Sequence, residues 1–211
     1  VLPFVDIQTL IQGEYPGFEA TIIRGVPVNA PERDKQLIEQ LNITDGSFDL
    51  KEEKTIVLGK ELALELGVSV GSHVVLTSLG GTSFNRLSPK RVEFSVTGVF
   101  ASGYYDYDRR LGFVSLSDAG LFTTSSTDIT YGIKISNRFQ DREMIKGLQN
   151  ILQDASVSIV SWREYNRSFF GALRTEKLIM MVLIGLIFIV VAVNIYHSLN
   201  RSVYERLEEI S

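Results

Sequence analysis

The stretch "LIMMVLIGLIFIVVAVNIY", residues 178 to 196, decides the architecture. From Leu178 to Asn200 there is no Asp, Glu, Lys or Arg, whereas the sequence before it is charged throughout. About 20 apolar residues in an α-helix cross a hydrocarbon layer of roughly 30 Å, and this run is long enough. The core helix of a water-soluble protein normally keeps a polar stripe, but nothing polar interrupts residues 178 to 193. A position so close to the C-terminal end also excludes a cleaved signal peptide. Residues 178–200 are therefore read as a transmembrane helix. The sequence begins at Val1, and its final residues read as unfinished helix. Both features are expected of a piece of a larger membrane protein.

Upstream of that run the composition is that of a folded domain: 211 residues in all, 22% charged and 45% hydrophobic. A net charge of −4 offers no electrostatic footprint for nucleic acid, and no Lys/Arg block marks a polybasic lipid patch. The absence of cysteine excludes disulfides and thiolate metal sites. Several segments alternate with period two, the mark of half-buried strands. Val92, Phe94 and Val96 alternate with Glu93, Ser95 and Thr97, while Ile129, Tyr131, Ile133 and Ile135 alternate with Thr130, Gly132 and Lys134. "FEATIIRGV" (18–26), "TIVLG" (55–59), "SHVVLTS" (72–78) and "VSIVS" (157–161) are further strand candidates, rich in β-branched residues.

Helical spacing places Leu62 and Leu66 on one face of "KELALELG" (60–67), with Gly67 suited to a left-handed end. "RDKQLIEQLN" (33–42) and "DREMIKGLQNILQDA" (141–155) are amphipathic in the same way, so the domain is α+β. Ser161 followed three residues later by Glu164 fits a capping box, and no proline occurs beyond Pro89. A helix begun there runs on to about Glu209, making residues 162–177 a stalk between the folded domain and the bilayer.

Chemical constellations are sparse. Asp106 and Asp108 in "YYDYDRRL" (104–111) would share a face of a strand, as paired carboxylates in acid/base or metal sites do. The competing reading is a solvated turn or strand edge with Arg109 and Arg110 as partners. His73 and His197 lie in different regions and are read as a strand-surface residue and a polar residue near the membrane boundary. No nucleophile elbow or phosphate-binding glycine loop is found, so neither an enzyme nor a cofactor is expected. The loop "LGGTSFNRLSPKR" (79–91) exceeds the length a hairpin needs. Its exposed Phe84 and Leu87 are flanked by Arg86, Lys90 and Arg91, a composition suited either to partner binding or to a simple connector. "RSVYERLEEIS" (201–211) is charged and helical, either a solvated helix end or a coupling element.

Two longer strings carry a family resemblance: "VLGKELALELGVSVGSHVVL" (57–76) and "FSVTGVFASGYYDYDRRLGFVSLSDAGLF" (94–122). Their run of Gly-Lys-Glu-Leu-Ala, the strand ending in Ser102-Gly103 with Tyr105 and Asp108 after it, and the Asp118-Ala119 segment resemble the extracytoplasmic domain of lipoprotein-releasing (Lol-type) ABC transporter permeases. These belong to the wider superfamily of macrolide-exporter and FtsX-like permeases. "IIRGVPV" (22–28), "TEKLIMMVL" (175–183) and "YERLEEI" (204–210) match further family segments, so the likeness covers nearly the whole chain.

The resemblance implies the domain inserted between the first and second of four membrane helices, together with that second helix. It implies two lobes, a porter-like α+β lobe from residues 1–45 and 128–161 and a mainly β lobe from 46–127, with residues 1–177 in the periplasm and the span in the inner membrane. It implies a hook loop that captures a periplasmic lipoprotein carrier, here Phe84, Asn85, Arg86, Leu87, Pro89, Lys90 and Arg91. A coupling element, here Tyr204, Glu205, Arg206, Glu209 and Ile210, would meet a separate ATP-binding subunit. The implied partners are that subunit, a second permease subunit of the same or a related kind, the carrier, the lipoprotein substrate and membrane lipid. Other jobs within the superfamily are small-molecule efflux and control of a cell-wall hydrolase, and a single-span anchored receptor is the reading outside it. Arg163, Arg167, Arg174 and Lys177 precede the span and only Arg201 and Arg206 follow it, opposite to a naive positive-inside count. Charge bias governs long translocated domains weakly and a first helix usually dominates, so the family's orientation is kept.

Overall fold

The computed structural model describes residues 1–78, 90–122, 129–135, 137, 139–152 and 157–208, with side chains to Arg201. It divides into two units, Val1–Lys134 and Ile135–Ser211.

In the first unit, strand β1 (Leu2–Gln12) pairs antiparallel with β2 (Glu19–Val26), Val5 opposite Gly25 and Ile11 opposite Glu19. After the short helices α1 (Ala30–Arg33) and α2 (Lys35–Leu41) come β3 (Ile43–Gly46) and β4 (Thr55–Gly59). Helix α3 (Lys60–Leu66), β5 (His73–Ser78), β6 (Lys90–Phe100), α4 (Tyr105–Arg110), β7 (Leu111–Ser115), α5 (Leu116–Ala119) and β8 (Thr130–Gly132) complete the unit. Hydrogen bonding runs β2–β7–β4–β6–β5–β1, and β1 pairs back onto β2, so six strands close a ring. The β2–β7 and β4–β6 neighbours are parallel and the other pairs antiparallel. β3 joins β6 outside the ring, and β8 pairs with Leu2–Phe4 of β1.

Two apolar clusters share the walls of that ring. Ile7, Ile11, Ile23, Ile56, Leu58, Val74, Leu76, Phe94, Val96 and Val114 fill one, closed by Leu62, Ala63 and Leu66 of α3. Val26, Leu41, Leu50, Val57, Phe100, Leu111 and Phe113 form the other, with Phe113 edge-on to Phe48 and to Phe100. Every residue of β4 and of β7 is buried, because each strand presents one face to each cluster. This explains why β7, "LGFVS", carries no period-two signal and escapes the sequence pattern. β1 does alternate, Val5, Ile7, Thr9 and Ile11 being buried between exposed Asp6 and Gln8, but Thr9 and Leu10 blur its apolar count.

Five expectations are corrected. Residues 33–42 form two helices, because Asp34 closes α1 and caps α2, its carboxylate accepting from the Leu37 amide at 3.1 Å. Residues 157–161 adopt no strand, and β8 covers only 130–132 of the alternating segment. Residues 105–110 are helical, neither a strand nor a turn. The expected helix from 162 onward is interrupted at Asn166, where the side-chain amide donates to the Trp162 carbonyl at 2.8 Å and competes with the backbone ladder.

The second unit contains α6 (Asp141–Ile151), the single turn α7 (Trp162–Tyr165) and α8 (Arg167–Glu208), 42 residues and about 63 Å long. Ser161 caps α7 as its capping box requires, its side chain accepting from the Glu164 amide at 3.2 Å.

Close backbone approach fixes the joint between β4 and α4. A Cβ added to Gly59 would lie 2.0 Å from the Asp108 carbonyl oxygen. Gly59→Ala is therefore expected to destabilise the domain by about 1–3 kcal/mol, through forced backbone movement in a packed site. Urea denaturation measures it; an unchanged midpoint would show that the joint is loose. A second expectation concerns acid. The Lys134 ammonium, 2.7 Å from Asp34, holds that carboxyl below the usual carboxylate range, aided by the Leu37 amide. A carboxyl depressed in the folded state adds stability above its unfolded pKa of about 3.9 and loses it as pH falls through the folded value. Asp34→Asn keeps a good helix cap and removes only the charge. Its stability deficit should be present at neutral pH and shrink below about pH 4 in denaturant titrations; a deficit independent of pH contradicts the pairing.

Candidate functional site

The strings that carry the family resemblance meet in space, and what they form is structural. Gly59, at the end of β4, lies under the backbone of α4. Glu65 of α3 accepts from the Arg109 guanidinium of α4 at 3.0 Å, and this carboxylate raises the Arg109 pKa. Asp108, only 5% exposed, accepts from the Ser102 amide at 2.9 Å and the Ser102 hydroxyl at 2.6 Å. It pins the turn after β6 and is no half of a carboxylate pair, since Asp106 lies exposed on the same short helix.

The other pair of strings is joined in the same manner. A Cβ on Gly25, from "IIRGVPV", would stand 2.4 Å from the Ala119 side chain. Asp118 accepts from the Lys54 amide at 3.1 Å and from the Ser115 hydroxyl at 2.8 Å, while its own amide donates to Ser115 Oγ at 3.0 Å. Partial burial pushes the Tyr107 phenol up from its ordinary value, which makes it a weaker acid than a free tyrosine. His73 is an exposed strand residue 4.0 Å from Glu93, and His197 stacks edge-on to Tyr196 in α8. Among the described residues no three His, Asp or Glu side chains cluster as a metal site would. A groove of about 740 Å³, lined by residues including Gln8, Thr9, Glu19, Thr21, Thr77, Arg109 and Arg110, offers hydroxyls, one carboxylate and two guanidiniums.

The candidate interaction elements are therefore the loop and the long helix. Phe84, Asn85, Arg86, Leu87 and Pro89 lie outside the described residues. The two strands that carry the loop are fixed: β5 and β6 pair in register up to Ser78 opposite Lys90 and Thr77 opposite Arg91, with both cations exposed. Tyr204, Glu205 and Arg206 belong to the last turns of α8, their side chains outside the description, as are Glu209 and Ile210 entirely.

The single turn α7 that precedes the long helix is tied to α6. Arg163 Nε stands 3.1 Å from the buried Asp141 carboxylate and forms an ion pair with it. The Arg163 guanidinium lies over the Trp162 ring, and Trp162 packs edge-on to Phe170. Sequence spacing gave no sign of this joint, because Asp141 and Arg163 belong to separate elements. Residues 167–201 of α8 include the segment long and apolar enough to cross a membrane, and none of that segment is buried in the protein.

No protein-family model matches the sequence. It is 30% identical over 218 aligned residues to the lipoprotein-releasing system transmembrane protein LolC of Xylella fastidiosa, a match covering 99% of this chain and 50% of that protein. The protein of the same name from Neisseria meningitidis serogroup B is 28% identical, over 99% of this chain and 51% of its own length. The chain thus spans about half the length of the curated relatives it matches. Among solved structures, the periplasmic region of MacB from Actinobacillus actinomycetemcomitans aligns with a TM-score of 0.45 and 12% identity, over 79% of this chain and 74% of that one. The extracellular domain of the transporter YknZ from Gram-positive bacteria aligns with a TM-score of 0.46 and 14% identity, over 75% and 78% of the two chains. From end to end, its membrane-length helix included, the chain is similar to half of a LolC protein of the Lol-type ABC transporter permeases.

Proposed function

We propose that this chain is the extracytoplasmic domain and second membrane helix of a permease subunit that releases lipoproteins from the bacterial inner membrane to a periplasmic carrier. The observation that carries the reading is the likeness to LolC proteins over 99% of the chain, membrane-length helix included. In this reading residues 1–177 stand in the periplasm and α8 spans the bilayer. The end of the helix, with Tyr204, Glu205, Arg206, Glu209 and Ile210, meets a separate ATP-hydrolysing subunit, and a second permease subunit completes the assembly.

The work of the chain is mechanical. Hydrolysis on the partner moves the cytoplasmic end of α8, and a helix about 63 Å long transmits that displacement, since its backbone hydrogen bonds have no competing partner in lipid. The Arg163–Asp141 pair joins the stalk to α6, so the motion enters the periplasmic part of the second unit through a charged contact as well as through the chain. The hairpin loop 79–91 then presents Phe84, Arg86 and Leu87, with Lys90 and Arg91 at its root, to the carrier.

Two experiments test this. Gly171 sits in the stalk with open space around it, so a substitution there acts on the backbone alone. Gly171→Pro costs the helix about 3 kcal/mol locally and should abolish lipoprotein release while the ATPase activity of the assembled transporter persists. Release at the wild-type rate would refute the strut. A photo-crosslinker at Phe84 in the intact protein should capture a soluble lipoprotein carrier. Capture of an outer-membrane adaptor or a cell-wall hydrolase would instead assign the chain to efflux or to hydrolase control.

A further inference from the structure

On the stalk, three cations share one face. Arg167, Arg174 and Lys177 are exposed, and no ion pair with a carboxylate is found for any of them among the described residues. Arg163, by contrast, is held by Asp141. At 3.6 residues per turn, Arg174 lies about 20° around the helix from Arg167 and Lys177 about 80°, while the lone acid of this segment, Glu176, lies about 180° away. Phe170, about 60° from Arg167, sits within the same basic face. Lys177 immediately precedes the uncharged run that starts at Leu178.

We propose that this face binds the phosphate groups of anionic phospholipids at the periplasmic surface of the membrane; the inference rests on the reading of α8 as a membrane-spanning helix. Arg174 and Lys177 stand within about 6 Å of Leu178 along the axis, and Arg167 about 17 Å, a span that covers the headgroup layer. Their apolar stems follow the helix while the charged ends reach phosphate oxygens, and the Phe170 ring occupies the interface between them. A guanidinium grips phosphate with two parallel hydrogen bonds and an ammonium attracts it as a point charge, and three cations on one face favour an anionic over a zwitterionic head. The excess of cations on the periplasmic side, which runs against the positive-inside count, thereby acquires a job in lipid contact.

Lipid retention tests this. Intact protein is reconstituted in phosphatidylethanolamine vesicles containing a minority of phosphatidylglycerol, re-extracted in mild detergent, and its bound lipid quantified by mass spectrometry. Wild type should hold phosphatidylglycerol above the bulk ratio. Arg167→Gln/Arg174→Gln/Lys177→Gln should lower that enrichment by about tenfold, since each cation near an anionic surface contributes about fivefold before screening. Arg167→Lys/Arg174→Lys should restore most of it, and Glu176→Gln should leave it unchanged. Equal enrichment in wild type and the triple glutamine variant overturns the inference, as does displacement of the lipid by free glycerol phosphate, which would mark a soluble-phosphate site. Alkaline extraction separates this from the parent reading. Wild-type protein released without detergent overturns the membrane helix itself, whereas protein that stays in the membrane with unaltered lipid ratios overturns only the lipid face.

Discussion

The fold depends on β4 being buried on both faces. Ile56 and Leu58 face the inside of the strand ring, and Val57 faces the second cluster with Leu50, Phe100 and Phe113. A strand in that position has no solvent side, so every neighbour must be placed against it without leaving a polar group unpaired. Its end is where the constraint is tightest. Gly59 leaves room for the α4 backbone, and a side chain at that point would collide with the Asp108 carbonyl. The turn into α4 is then set by Asp108 on the Ser102 amide and hydroxyl, and the helices on either side are clasped by Glu65 and Arg109.

From this follows the meaning of the segments that carry the family likeness. Gly25 admits Ala119, Gly59 admits α4, Asp118 holds the Lys54 amide, and Gly67 supplies the left-handed residue that ends α3. Each is a place where two pieces of chain distant in sequence touch closely. None of these contacts brings together a nucleophile, a base and an acid. The segments that carry the likeness therefore meet as a scaffold.

The first unit and α8 differ in how their apolar residues are arranged. In the first, apolar side chains alternate or run through buried strands and the polar remainder faces water. In α8 the apolar residues lie all round the helix, because lipid surrounds it on every side and no face needs to be polar. Charged residues flank the uncharged run, with Arg167, Arg174, Glu176 and Lys177 before it and Arg201 onward after it.

Local order was legible in the sequence. The membrane-length helix, α3 with its Gly67 end, and strands β2, β4, β5 and β6 follow from spacing and composition, because each is dictated by periodicity within one segment. The likeness to Lol-type permeases was legible as well, since it rests on strings of residues. Only the tertiary structure decided the rest. It showed β7 as a strand, since burial on both faces erases alternation; it turned "YDYDRR" into a helix with Asp108 inside, since Ser102 waits there to donate; and it joined Arg163 to Asp141 across separate elements. These features depend on partners brought close by the fold, and a partner distant along the chain leaves no period for a sequence pattern to reveal.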